Sequence, residues 1–235
     1  MRLPTTFIAL FLLAGCTATQ GKSPPLAPAQ SLPDSVHWYR DSAEQRAIYL
    51  QTYRAATAAA RSLSKGIAAR GWAVILDVDE TVLDNSDYQK RQALAGQGFD
   101  AKVWDAWINE RRATALPGAS EFTHAVISEL HGQVIFVTNR LLSQCPATED
   151  NLRARGIRFD RILCDAVGDG DKNPRFDAVT NGNPKLNVLL WVGDNIQDFP
   201  GLSQANASTE AAKFGVQYFV LPNPMYGSWM KNPPR

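Results

Sequence analysis

The chain carries little that would assign its class by composition alone. Its 24 Lys and Arg stand against 23 Asp and Glu, so no basic surface points to a nucleic-acid polymer. No polybasic run is present to hold it electrostatically to a membrane. No apolar run approaches the roughly 20 residues that a spanning helix needs. No internal repeat of solenoid period occurs. Cysteine is scarce, with three residues, at 16, 145 and 164. What remains is 235 residues of ordinary globular composition, enough for one domain and an elaboration.

The first cysteine has a context. Met1 and Arg2 make a minimal basic start, residues 7–13 are apolar, and Leu13-Ala14-Gly15-Cys16 follows. This segment resembles a bacterial lipoprotein signal, which implies removal of residues 1–15 and lipid attached to Cys16. Thr17 resembles the outer-membrane sorting pattern, so the implied location is the cell envelope, lipid-anchored in the outer membrane. A plain secretory signal with a chance cysteine is the alternative. Residues 16–36, rich in Pro, Ala and Ser, read as a flexible tether. Cys145 and Cys164 follow two strands expected to be neighbours in what would be an oxidising compartment, so a disulfide and buried free thiols are both open.

Past the tether, Asp41-Ser42-Ala43-Glu44 reads as a capping-box-like start to an alanine-rich helix within an N-terminal segment, 37–71. Residues 73–76 form a short apolar, β-branched run, the pattern of a strand buried on both faces. Residues 84–118 carry aromatics and charges without strand alternation and read as a small, mainly helical cap insertion. From residue 119 strands and helices alternate, with strands at 133–137, 161–164, 188–192 and 217–221. The expected fold is therefore α/β, a parallel sheet with helices on both faces, built from 72–83 and 119–235.

The strand ends are chemically unusual. The first runs into Asp77 and Asp79, which a period of 2 points to one side. The second runs into Thr138-Asn139-Arg140, and the loop after the third carries Lys172. The fourth runs into Gly193-Asp194-Asn195, with Asp198 just beyond. Ligands of open parallel sheets bind beyond the carboxyl ends of the strands, so these groups would converge. Clustered carboxylates suit a hard divalent metal, and Mg²⁺ prefers few carboxylates with water and phosphate oxygens. Hydroxyl, amide and lysine donors suit a phosphoryl group. One Asp could then act as nucleophile and another as acid and base.

Asp77-Val78-Asp79-Glu80-Thr81, Thr138-Asn139, Lys172 and Gly193-Asp194-Asn195 with Asp198 resemble the four motifs of the haloacid dehalogenase (HAD) superfamily, in order. Residues 75–88 and 193–199 more narrowly resemble class C acid phosphatases, subfamily IIIB, a group that includes the outer-membrane lipoprotein e family. Residues 104–107, 115–118 and 221–229 extend the likeness. The resemblance implies a Mg²⁺-dependent phosphatase acting on 5′-nucleotides and related phosphomonoesters through an aspartyl phosphate. It implies Asp77 as nucleophile and metal ligand, and Asp79 as acid and base and as a ligand through its carbonyl. Asp194 would be the third ligand, with Asp198 in support. Thr138 and Asn139 would hold the phosphoryl oxygens, and Lys172 would balance Asp77. Trp104 and Tyr226 match the aromatic pair that sandwiches the substrate's ring. A homodimer is compatible with the resemblance and not required by it.

Bland readings stand beside these: a solvated acidic strand end, a loop lysine, and aromatics that merely seal cap to core. Glu80 reads as a solvated or hydrogen-bonded neighbour, and His124 and His131 as structural. No Arg-His-Gly triplet supports histidine-based phosphoryl transfer. Asp165, Asp169 and Asp171 give the Lys172 loop an acidic character that would bear on substrate charge. An acidic optimum follows if Asp79 must begin protonated while Asp77 is ionised. The competing function is a non-catalytic surface lipoprotein that binds an aromatic ligand. It would bind without releasing phosphate and would have no need of both acids.

Overall fold

The computed structural model describes residues 31–182 and 185–234. The signal segment, Cys16 and the tether up to residue 30 lie outside the described residues. The chain enters through helix α1 (Asp34–Asp41), which buries Val36 and Tyr39, so the last residues assigned to the tether are helical and packed. Helix α2 (Ala43–Leu63) starts where the Ser42 side chain accepts the Gln45 N–H at 3.1 Å. The cap is thus Ser42, while Asp41 closes the preceding helix. Tyr49, Tyr53, Ala56 and Ala60 recur at helical spacing and form the buried stripe of α2.

Strand β1 (Trp72–Leu76) is buried at every position. The alternation along it divides the core. Trp72, Val74 and Leu76 pack in the larger cluster with α2 and the cap, while Ala73 and Ile75 pack on the opposite face. Burying each large aliphatic side chain contributes about 1.5–3 kcal/mol, so such a strand has every reason to be central. A two-residue ribbon, β2 (Leu83–Asp84) against β3 (Thr114–Ala115), closes off the cap insertion. The insertion holds helix α3 (Ser86–Leu94) and helix α4 (Ala101–Glu110), the latter capped by Asp100. Helix α5 (Ala119–His124) continues through a π-helical segment, Ala125–Glu129, to the turn at His131.

Strand β4 (Gln133–Leu141), helix α6 (Cys145–Ala154), strand β5 (Arg161–Asp165), helix α7 (Asn173–Thr180), strand β6 (Asn187–Gly193) and strand β7 (Tyr218–Val220) complete the fold. The sheet order is β5-β4-β1-β6-β7, with every neighbouring pair parallel. The Lys172 loop leads directly into α7, where Pro174 sits in the first turn and Phe176 and Val179 pack under β1. The segment Ala207–Lys213 is a kinked 3₁₀ segment with no buried residue. Because β1 lies between β4 and β6, the strand order reverses around it, and the crevice at its carboxyl end lies where such sheets take ligands.

Cys145, opening α6, and Cys164, in edge strand β5, form a disulfide with a Cα–Cα distance of 6.1 Å. It closes a loop of 19 residues. A bridge over that separation stabilises by about 3 kcal/mol through the unfolded chain. Urea unfolding in dithiothreitol should therefore show a clearly lowered midpoint, and the Cys145→Ser, Cys164→Ser double variant should be insensitive to the reductant. An unchanged wild-type midpoint would show that the bridge contributes nothing.

Candidate active site

The floor of the crevice is built by continuing the sheet past its apolar part. Asp77 N–H donates to the Val192 carbonyl at 3.0 Å, which extends the β1–β6 ladder by one residue and sets the acid beside β6. After Asp79 the chain turns tightly, with Glu80 in the left-handed region (φ +49°) and its N–H on the Leu83 carbonyl. The Tyr53 hydroxyl donates to the Thr81 carbonyl at 2.7 Å, and the Tyr49 hydroxyl to that of Glu80, so α2 holds the turn from below.

Asp77, Asp194 and Asp198 each offer a carboxylate oxygen within 4.8 Å of the others. The Lys172 ammonium is buried among them, 2.6 Å from Asp77 Oδ1 and 2.6 Å from Asp198 Oδ1. Only the Asp198 contact is a directed hydrogen bond; the Asp77 contact is an ion pair without hydrogen-bond alignment, and Asp77 Oδ1 is left buried with no donor. Burial, together with Asp198 and Asp79, pushes Asp77 up to about 7 against the pull of Lys172. Burial, Asp198 and Asp77 likewise raise Asp194. Burial alone would lower Lys172, but Asp198 and Asp77 outweigh it and keep the ammonium charged.

A hard divalent cation fits this donor set. It would take the orphaned Asp77 oxygen and the Asp194 carboxylate, which Thr81 Oγ1 (3.2 Å) and Asn223 Nδ2 (2.9 Å) already orient. Asp198 is committed elsewhere: Oδ1 to Lys172, and Oδ2 to the Asn195 N–H at 2.8 Å. That loop needs Gly193, since a Cβ there would lie 2.3 Å from Asp198 Cβ.

The other sequence-predicted residues fall into distinct places. Asp79 lines the cleft, its carboxylate held by Arg140 and Asn85. Asn139 also lines it, and its Oδ1 accepts from Arg175 Nη2 at 2.7 Å. Thr138 is fully buried, and its Oγ1 accepts the Arg140 N–H at 3.2 Å. Trp104 and Tyr226 both line the cleft without stacking on each other. Trp104 packs edge-on against Tyr88 at 5.0 Å, whereas the Tyr226 hydroxyl bonds Glu80 Oε2. The cleft, about 800 Å³, is also lined by Phe99, Met225 and Met230.

One reading is narrowed and another needs correction. Glu80 is a hydrogen-bonded neighbour and not a solvated one: it is fully buried, its carboxyl raised by burial and by Asp79, and it bonds Asn85 N–H and Tyr226. The acids of the Lys172 loop are engaged within the loop itself. Asp165 accepts from the amides of Val167, Gly168 and Gly170, which outweigh burial and hold it below its ordinary range. Asp169 and Asp171 likewise cap local amides, and none of the three lines the cleft.

Sequence reasoning passed over Arg140 and Asn85. The signal for Arg140 was present: it stands two residues after Thr138, the spacing that pointed Asp77 and Asp79 to one side. Asn85 had no such signal, because its partners come from three separate segments.

Comparison with known proteins bears on the family and the fold. The family model of the HAD superfamily, subfamily IIIB (acid phosphatase), matches residues 17–229. The chain is 27% identical over 158 residues to the stem 28 kDa glycoprotein of Glycine max, covering 65% of this chain and 58% of that protein. It is 27% identical over 153 residues to acid phosphatase 1 of Solanum lycopersicum, covering 65% and 57%. It thus spans less than two thirds of the length of these curated relatives. The class C acid phosphatase from Bacillus anthracis superposes with a TM-score of 0.74 at 32% identity, over 83% of this chain and 85% of that one. A structure of that enzyme with tungstate bound gives 0.73 at the same identity. The chain belongs to the HAD superfamily, subfamily IIIB, the acid phosphatase family.

Proposed function

We propose that this protein is a divalent-metal-dependent acid phosphatase that hydrolyses phosphomonoesters, with Mg²⁺ as its metal and 5′-nucleotides as its substrates. One observation carries the reading: a buried Asp77 with an unbonded oxygen beside Lys172, Asp194 and Asp198 at the floor of an aromatic cleft. Asp77 attacks phosphorus as the bond to the leaving oxygen breaks, and Asp79 gives that oxygen a proton. An aspartyl phosphate results. Water then attacks phosphorus and passes a proton to Asp79 as the Asp77–phosphoryl bond breaks, releasing phosphate and restoring both acids. Lys172 keeps Asp77 and Asp198 in place throughout. Bound Mg²⁺ would neutralise the carboxylates and the phosphoryl oxygens. Asn139, on the cleft wall, would hold a phosphoryl oxygen, while Thr138 lies fully buried behind that wall. The tungstate on the Bacillus anthracis relative is an oxyanion of comparable shape, which supports a phosphoryl site.

The cleft walls support the nucleotide preference. Trp104 and Tyr226, with Tyr88 and Phe99 nearby, offer π-faces that accept any base. The lipid anchor on Cys16 belongs to the same reading, and it would hold the enzyme at the outer membrane in the manner of the lipoprotein e family. No helix among the described residues is long and apolar enough to cross a membrane.

Phosphate release from 5′-AMP should vanish in EDTA and return with added Mg²⁺; undiminished turnover in chelator would refute the metal. Asp77→Asn should lower kcat by roughly 10³-fold or more, the scale on which removal of a nucleophile acts.

The buried acids also predict how stability depends on pH. With Asp77 raised to about 7 from 3.8, and Asp194 and Glu80 raised too, the metal-free folded state retains protons that the unfolded chain has released. Stability then falls as pH rises through the interval from about 4 to 7. In EDTA the melting temperature should be lower at pH 7 than at pH 5, and Mg²⁺ should raise it more at pH 7. A metal-free melting temperature that climbs across that interval would contradict the buried cluster.

A further inference from the structure

Arg140 is a buried cation at the site that the proposed chemistry leaves without a part. Its side chain is 1% exposed, yet it lies beside the acid that must move a proton. Four of its five N–H donors are engaged within the protein. Nη2 donates to Asp79 Oδ1 at 2.7 Å and to Asn85 Oδ1 at 3.2 Å. Nε reaches Asp79 Oδ1 at 3.0 Å and Oδ2 at 3.3 Å, and Nη1 donates to Thr148 Oγ1 at 3.0 Å. A guanidinium so committed does not have the freedom to bind a phosphoryl group. Asn85 adds a further bond, from Nδ2 to Asp79 Oδ1 at 2.8 Å.

The two oxygens of Asp79 are therefore unlike. Oδ1 receives Arg140 Nη2, Arg140 Nε and Asn85 Nδ2, while Oδ2 has only the longer share of the Nε contact. We propose that Arg140 is a positioning residue that, with Asn85, saturates Oδ1 and so makes Oδ2 the atom that gives the proton to the leaving oxygen and later takes one from water. The guanidinium also lies 5.6 Å over the Trp104 ring, at the distance of a cation–π contact. Trp104 lines the cleft, so Arg140 ties that wall to the acid. Thr148, itself bonded to the Gln144 carbonyl at 2.8 Å, sets the plane of the guanidinium from α6.

The inference rests on the phosphomonoesterase reading, and the leaving group separates the two. Protonation matters greatly for an alkoxide leaving from a nucleotide and little for a good phenolate. The measurement is kcat/KM for 5′-AMP and for phenyl phosphates of graded phenol acidity, up to 4-nitrophenyl phosphate. Arg140→Gln should lose about 10²-fold on 5′-AMP and less than about tenfold on 4-nitrophenyl phosphate, which steepens the dependence on the leaving group. Arg140→Lys keeps the charge without the planar fork and should fall between. Thr148→Val, which leaves the Asp79 partners in place, should steepen the dependence slightly, and it carries the test if Arg140→Gln fails to fold. Parallel losses across the series, or no loss, would overturn the positioning role while leaving the phosphatase intact. A wild-type protein inactive on every substrate would overturn the phosphatase reading itself.

Discussion

The site depends on one electrostatic fact: more carboxyl groups are gathered at the end of β1 than local cations can balance. Against Asp77, Asp79, Glu80, Asp194 and Asp198, the buried cations that pair with them among the described residues are Lys172 and Arg140. In water such a cluster would disperse. Here the sheet ladder, the α2 tyrosines and the Asn195 loop hold it, so the imbalance appears instead as raised affinity for protons at Asp77 and Asp194. A divalent cation relieves the same imbalance, which is why the acids suit metal as well as they suit protons.

The two cations divide the acids between them, and each enforces a different state. Lys172 is a compact point charge between Asp77 and Asp198, and it can attend to both without dictating orientation. Arg140 is a planar fork that favours one oxygen of Asp79. That difference matches the work proposed for the acids. A nucleophile needs charge balance and access, whereas a proton carrier needs a defined atom and direction.

Support for this arrangement comes from outside the sheet. Asn85, at the base of the cap, accepts from Trp107 Nε1 and Arg140 and donates to Asp79, so the cap insertion is bonded to the core at the site. Asn223 orients Asp194 and also accepts the Met225 and Tyr226 amides, which fixes the C-terminal loop that lines the cleft. Arg175 bonds the Thr138 carbonyl, Asn139 and the Asp171 carbonyl, which joins the second strand end to the Lys172 loop. The cap, the C-terminal loop and the Lys172 loop are each tied to a strand end by polar contacts near the chemistry.

What the sequence determined by itself is what short-range rules govern. The apolar run of β1, its acidic ending, the order of the four strand ends and the alternation of strands and helices were legible, because strand period and residue chemistry are local properties. Tertiary structure alone decided which acid pairs with which cation, since Arg140 meets Asp79 across 61 positions and Lys172 meets Asp198 across 26. It also decided that Glu80 is buried, that Asp165 is spent on the amides of its own loop, and that Cys145 and Cys164 are joined. Burial and pairing are sums over neighbours from distant segments, and no window of sequence contains them.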